Sequence, residues 1–398
     1  MVKEKESVSA TSNFSTQDSE APKKALTKKD IFISRLKRRF LRNIWVARLA
    51  IFSLIILAIY LVSVFLGIIF NKIGISKYTG IVYDFVFTPE KKIATTAGRT
   101  DILIMGKAGE GHTAPDLTDT IIFVSVSHVD SSVILLSLPR DIWIPSLRAK
   151  LNSAYYWGNQ KQPPAQGASG PAGGGLILAK SSTEEIVGKP IHYGIIVDFS
   201  GFKRIIDVLG GIKVEVEKGF IDEKYPIAGR ENDECDGDPD FKCRYESVKF
   251  DAGVQSMDGE TALKFVRSRN AEGDEGTDLA RSARQQKVIA ATKDRVLKPD
   301  VFLSPKKMLT LWKVTKDSIE TDMDPSAVAI LARRVVENGQ KISSFVLPEE
   351  FLLKPPASSL YDNLYVFLPR GGSWDGLHGW VDCVFEAGSC DPEEFVNL

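Results

Sequence analysis

The chain has 398 residues, with 51 Lys or Arg against 51 Asp or Glu, and that length accommodates one large domain or two ordinary ones. The zero net charge conceals an asymmetry: residues 1–48 carry 12 basic and 5 acidic residues, a net of +7, which leaves the remaining 350 at −7. The two parts therefore suit opposite partners, and an acidic part placed outside the membrane excludes nucleic acid as a partner.

Residues 1–43 are polar and basic, with too few large apolar side chains to order themselves, and are expected to form a disordered cytoplasmic tail. "LAIFSLIILAIYLVSVFLGIIF", Leu49 to Phe70, follows with 22 uncharged residues. At about 1.5 Å per residue such a run crosses a hydrocarbon core of about 30 Å, so a transmembrane helix is predicted over 44–71. A cleaved signal peptide would have a shorter apolar region and a small-residue cleavage site, which "NKIGISKYTG" does not offer. Arg35, Lys37, Arg38, Arg39, Arg42 and Arg48 crowd the N-terminal flank, which keeps the N-terminus cytoplasmic and places everything after about residue 72 outside. All four cysteines lie on that side. Their pairs, Cys235 with Cys243 and Cys383 with Cys390, are spaced for short disulfide loops; zinc is the alternative, but neither CxxC nor a histidine cluster accompanies them.

After a connector over 72–97, "DILIMG" (Asp101–Gly106), "DTIIFVSVS" (Asp119–Ser127) and "SSVILLSLP" (Ser131–Pro139) are short β-branched runs bounded by turn residues, which predict buried strands. "GNQKQPPAQGASGPAGGG" (Gly158–Gly175) is predicted to be a mobile loop. "SSTEEIVGK" (Ser181–Lys189) carries a capping signature, Ser181 or Ser182 with Glu184 or Glu185. A strand at "YGIIVDF", a helix at "SGFKRIIDVLGG" and the alternating "IKVEVE" (Ile212–Glu217) continue the pattern. Strands alternating with helices predict an α/β domain with helices on both faces of a sheet. "AGRENDECDGDPDFKC" (Ala228–Cys243) is acidic but lacks the spacing and closing Glu of a twelve-residue calcium loop, so a solvated, disulfide-closed loop is expected. Beyond Lys298, two helical segments capped at Ser304 and Asp324, the latter ending at Gly339, and an aromatic, Gly-rich end predict a helical extension over 299–398, packed on the domain or appended to it.

The densest chemistry lies in "SRNAEGDEGTDLARSARQQKVI", Ser268 to Ile289. Thr277 or Asp278 caps a helix reaching Val296, with Leu279, Ala283, Ile289, Ala290, Val296 and Leu297 as its apolar stripe and Arg281, Arg284, Gln285 and Val288 on another side. Two guanidiniums near a helix N-terminus favour a phosphate, and Arg267 and Arg269 in "FVRSR" lie two apart upstream. The alternative is a solvated helix face whose arginines pair with Asp274, Glu275 and Asp278. The four histidines are scattered, and no Ser-His-Asp or Cys-His arrangement competes.

The order "DILIMG", "LTDTIIFVSV", "LLSLPRDIWIP", "KLNSAYYWG", "IHYGIIVDFSGFKRIIDVLGGIKVEV", "MDGETALKFVRSR", "ARSARQQKVI" resembles the LytR-CpsA-Psr family of bacterial envelope proteins, over about Asp101 to Leu297. The resemblance implies an α/β/α domain over 98–298, a central mixed β-sheet sandwiched between helices with a pocket for a polyprenyl chain. It implies a phosphotransferase that moves a glycopolymer, such as teichoic acid or capsular polysaccharide, from an undecaprenyl-pyrophosphate carrier to peptidoglycan with Mg²⁺ (or Mn²⁺). On the matching positions Asp119 in "LTDT" is the metal-associated aspartate, Arg140 in "LPRD" a pyrophosphate contact with Asp141 beside it, and Arg267 and Arg269 the paired arginines. Arg281, Arg284 and Gln285 form the "R-x-x-RQ" element, and Lys150, Asn152 and Tyr155 line the site. The chain departs from the family at "GKA", where Ala108 replaces an acid that Glu110, His112 or Asp116 would have to replace, and at "GDEGTDLAR", which is longer than usual. A pyrophosphatase and a noncatalytic binder of polyprenyl phosphates or anionic polymers are the alternatives.

Overall fold

The computed structural model describes residues 44–72 and 93–396, apart from 113, 131, 162–172 and 338–341, with a few isolated positions before 93. The chain divides into two compact units, residues 1–72 and 73–398. The first includes the helix α1 (Ile44–Lys72), which contains the whole apolar run. Its described side chains are 48, 49 and 51–64, and among the described residues no helix is long and apolar enough to cross a membrane. The expected span thus lies partly outside the described residues, as do most of the tail and the connector.

In the second unit a six-stranded mixed sheet forms because its strands alternate two sets of apolar side chains. The strands are β1 (Arg99–Lys107), β2 (Thr118–Ser127), β3 (Val133–Ser137), β6 (Tyr193–Asp198), β11 (Ile319–Thr321) and β12 (Ile342–Val346), in the order β11-β6-β1-β2-β3-β12. β1 and β6 run parallel, as do β3 and β12, while the other neighbours are antiparallel. Leu103, Met105, Ile121, Phe123, Ile134 and Leu136 point to one face, and Ile102, Ile122, Val124, Val126, Val133 and Leu135 to the other. With period 2 and both sets apolar, the sheet needs cover on both sides.

Two helices cover the first face: Gly174–Val187, and the C-terminal helix Asp375–Ala387, which contributes Leu377, Trp380, Val381 and Val384. The second face is covered by Ala327, Ile330 and Leu331 of Pro325–Glu337. A third cluster joins the helices Phe199–Val208 and Gly259–Arg267 to two small ladders, β7 (Ile212–Val216) with β10 (Gly253–Met257) and β8 (Phe220–Pro226) with β9 (Tyr245–Phe250), and a further short ladder pairs β4 (Trp143–Ile144) with β5 (Ala149–Lys150).

Several expectations change. The division at 298 is not one the sheet respects, because both edge strands and a covering helix for each face come from residues after 299. That region is therefore part of the domain's core rather than a helical extension. Ser181 and Ser182 do not start a helix. They lie inside one that begins at Gly174, where Ser182 is buried, and Glu184 instead accepts the Ile191 amide beyond the C-terminus at 2.7 Å. The glycine-rich stretch thus ends in the first turn of that helix, and 162–172 lie outside the described residues. Both expected disulfides are present, Cys235–Cys243 and Cys383–Cys390. Asp324 caps its helix through the Ala327 amide at 2.8 Å and Ser304 caps another through Lys307.

Candidate functional site

The site grows from a fault in the β1–β2 ladder. Gly106 pairs with Thr120 and Lys107 with Thr118, so Asp119 is an extra residue with no partner across the ladder. A bulge of this kind re-aims the side chain it carries. Asp119 accepts a hydrogen bond from Arg140 Nη1. Arg140 stands in the turn after β3, where Asn152 N donates to its carbonyl at 3.1 Å and Thr118 Oγ1 donates to Asn152 O at 3.1 Å. The turn is thereby fastened to the first residue of β2.

Asp141, buried at 9% exposure, lies 3.5 Å from Arg140 Nε and accepts from Lys150 Nζ at 2.6 Å. Burial alone would lower the Arg140 guanidinium, but Asp119, Asp141 and Asp278 outweigh it and hold its pKa above the ordinary value. Arg140 is thus a fixed positive charge between two carboxylates.

The helix Asp278–Val296 brings the second arm. Thr277 caps it, its hydroxyl accepting from Ala280 N at 3.2 Å. The buried side is largely polar: Arg281, Arg284 and Gln286 are buried beside Val288, while Leu279 is 60% exposed. Of the expected apolar stripe, Ile289 packs against the second face of the sheet. Gln286 explains the polar burial, since its Nε2 donates to Ser137 Oγ at 3.0 Å and to Phe345 O at 2.9 Å, across β3 and β12. Gln285 donates to Thr120 Oγ1 at 2.9 Å, which docks the same turn beside Asp119.

Arg281 and Arg284 have different fates. Arg284, 3% exposed, gives Nε to Phe265 O at 3.0 Å, Nη1 to the Glu275 carbonyl and carboxylate at 2.9 Å each, and Nη2 to Ser268 O. Its donors are spent fastening the end of one helix to the start of the next. Arg281 pairs with Asp278 at 3.0 Å and keeps a buried Nε with no hydrogen-bond partner. Burial lowers its pKa most; Asp278 opposes this, and Arg140 and Arg269 lower it further. A guanidinium nonetheless stays charged. Arg281 thus lies within electrostatic reach of Arg140, Arg269 and Asp119. Arg269 is exposed, and its backbone is held by Asp222, which accepts from the amides of Arg269 at 3.0 Å and Asn270 at 3.2 Å.

Arg267 faces a neighbouring cleft of about 750 Å³ that is also lined by Ala108, Glu110, His112, Asp116 and Tyr225. It donates to Tyr225 Oη at 3.1 Å and lies 4.3 Å over the Phe199 ring. Gly109, at φ +83°, lets the loop after β1 turn into this cleft, where a Cβ would come within 2.9 Å of Asp198 Cβ. Of the residues offered in place of an acid at 108, Asp116 pairs with Lys107 at 2.8 Å and His112 Nδ1 lies 3.5 Å from Glu231, while Glu110 is exposed at the cleft. Among the described residues the group of three metal-ligand side chains is Asp233, Cys235 and Cys243, whose sulfurs form the disulfide; Asp119 belongs to no such group. Asp119, its side chain 43% exposed, fits a Mg²⁺ that brings phosphate oxygens as further ligands, and not an all-protein cage.

Lys150, Asn152 and Tyr155 support the site from beneath. Tyr155 is 1% exposed and donates to Glu320 Oε2 at 2.5 Å on the edge strand β11, and Lys107 Nζ lies 4.9 Å over its ring. A side chain so enclosed does not line a substrate pocket. Sequence reasoning missed Glu320 and Ser268 O as partners, whereas the pairing of Arg284 with Glu275 and of Arg281 with Asp278 is the alternative it offered.

A mixed sheet between helices, with Arg140 bonded to Asp119 on a bulged strand and Arg281 near a helix N-terminus, defines an α/β protein. The chain belongs to the LytR_cpsA_psr family, whose model matches residues 83–377. It is 29% identical over 210 residues to the polyisoprenyl-teichoic acid–peptidoglycan teichoic acid transferase TagU of Oceanobacillus iheyensis, covering 52% of this chain and 54% of that protein. The protein of the same name from Enterococcus faecalis is 26% identical over 228 residues, with 56% and 61% covered. The chain thus spans about half the length of the curated relatives it matches. Among solved structures it is similar to the Lin1025 protein of Listeria innocua (TM-score 0.50, 22% identity, covering 73% of this chain and 98% of that one) and to TagV of B. subtilis (0.50, 21%, 75% and 100%), likenesses that show the fold.

Proposed function

We propose that this chain is a membrane-anchored phosphotransferase that moves a glycopolymer from a polyprenyl-diphosphate carrier to a peptidoglycan hydroxyl. The observation that carries this reading is Arg140 bonded to the bulged Asp119, with Arg281, whose buried Nε has no hydrogen-bond partner, within electrostatic reach of both and of Arg269. A diphosphate is the ligand for which several convergent guanidiniums and a helix N-terminus are suited.

In the reaction the acceptor oxygen attacks the sugar-bearing phosphorus. The bond from that phosphorus to the bridging oxygen breaks, and the prenyl phosphate leaves with the bridging oxygen and its electron pair. Charge moves onto that leaving phosphate, where Arg140 and Arg281 stabilise it without a covalent intermediate. The acceptor proton passes to a carboxylate, Asp119 or Asp141. Asp119 would hold Mg²⁺, which would supply further charge neutralisation. Arg284, Lys150, Asn152 and Tyr155 hold these groups in place. The uncharged run Leu49–Phe70 is the feature that favours anchoring beside a donor that stays in the bilayer.

Ala108 and the Asp119–Arg140 bond favour a second reading, a noncatalytic binder of polyprenyl diphosphates. The two differ in their products. Full-length protein, a lipid-diphosphate glycan, Mg²⁺ and peptidoglycan are expected to yield polymer on peptidoglycan together with prenyl phosphate. Free polymer with prenyl phosphate would make the chain a pyrophosphatase, and an unchanged donor that remains bound would make it a binder.

A further inference from the structure

Residues 360–367, in the part of the chain after 299, carry an exposed run that the diphosphate reading does not use. Leu360, Leu364 and Tyr365 are exposed by 69%, 45% and 49%, whereas Val366 between them is 1% exposed and pins the segment. The segment is fastened to the site itself. Phe367 N donates to Asp141 O at 3.0 Å, and Trp143 N donates to Phe367 O at 2.9 Å. Tyr361 packs edge-on to Trp143 at 5.6 Å and Tyr365 to Phe367 at 5.3 Å. An aromatic ridge thus stands on the same turn that carries Arg140 and Asp141.

Charged groups rim the Tyr365 ring. Lys354 Nζ lies 4.5 Å over it. Partial burial first, then Asp141, Asp278 and Glu349, push the phenol's pKa up, so carboxylates from both arms of the site act on this one side chain. An apolar prenyl chain would have to strip water from those charges without pairing them, which is costly. A sugar ring matches both features: its C–H face packs on the face of the aromatic ring that Lys354 leaves open, and its hydroxyls pair with charged groups around the ring.

We propose that Tyr365 is a specificity residue, on whose ring, on the face away from Lys354, the sugar unit next to the diphosphate packs. This rests on reading Arg140 and Arg281 as the diphosphate site. The polymer's first sugar is then selected by residues beyond 299, while the lipid diphosphate is held by the arginines.

The test uses full-length protein in detergent micelles with two probes, geranylgeranyl diphosphate and geranylgeranyl-diphospho-N-acetylglucosamine, and titration calorimetry. Tyr365→Ala is expected to weaken the sugar-bearing probe about tenfold and leave the sugarless probe unchanged, while Tyr365→Phe, which keeps the ring, binds both as the parent does. Equal weakening of both probes by Tyr365→Ala would make the residue a structural support, and no weakening of either would leave the ring without a role; each overturns the proposal. Failure of the unsubstituted protein to bind the sugarless probe would overturn the diphosphate reading and this inference with it.

Discussion

At the scale of single residues, the separation of Arg281 from Arg284 decides how substitutions behave. Both lie on one helical side three residues apart, and nothing in the sequence distinguishes them. The distinction arises from what meets each guanidinium: the carbonyls of Phe265, Ser268 and Glu275 surround Arg284, while Arg281 faces Asp278 and the charges of Arg140 and Arg269. Arg284→Ala leaves those carbonyls and the Glu275 carboxylate unpaired, at a cost of about 3 kcal/mol. Denaturant unfolding is expected to show that loss, and a stability equal to the parent's would contradict the bracing role. Asp130 offers a pH test at the same scale. Hydrogen bonding from Ser127 first, and from Ser132, holds its pKa down at about 2. With an unfolded value of about 3.9, its contribution to the turn is complete above that value and is lost as the pH falls toward 2. A carboxyl titration by NMR should place the midpoint near 2, and a midpoint near 4 would remove the contribution.

At the scale of elements, the strands β1, β2, β3, β6 and β7 were legible because apolar runs bounded by turn residues have few other homes. The edge strands were not. Ile319–Thr321 has three residues, and Ile342–Val346 owes its place to pairing in parallel with β3, a contact between residues about 200 apart in the chain. The helix carrying Arg281 was legible in its extent and its Thr277 cap but not in its orientation, because Gln286 and Arg284 bury polar groups by bonding them and apolar counting cannot register that. The bulge that turns out Asp119 is likewise a matter of register between two strands. Thr277→Ala removes the bond to the Ala280 amide and should cost about 1 kcal/mol in chemical denaturation. Because the first turn carries Arg281, prenyl diphosphate affinity is expected to fall as well. Unchanged stability and affinity would mean that Asp278 caps the turn as effectively.

At the scale of the whole molecule, the family motifs and the region after 299 form one body: both edge strands of the sheet and a cover for each of its faces come from the later part. The resemblance in the sequence ended near Leu297 because motifs mark the site, whereas the later residues contribute packing, which tolerates many sequences of the right size. The central claim is that Arg140 and Arg281 together hold a diphosphate, and binding tests it without requiring turnover. Calorimetric titration of full-length protein with geranylgeranyl diphosphate and geranylgeranyl monophosphate, for the parent and for Arg140→Ala and Arg281→Ala, is the most direct measurement. The account predicts that the parent prefers the diphosphate, and that each substitution weakens it by about ten- to a hundredfold with an unchanged melting temperature. Equal affinity of the parent and both variants for the diphosphate would contradict it.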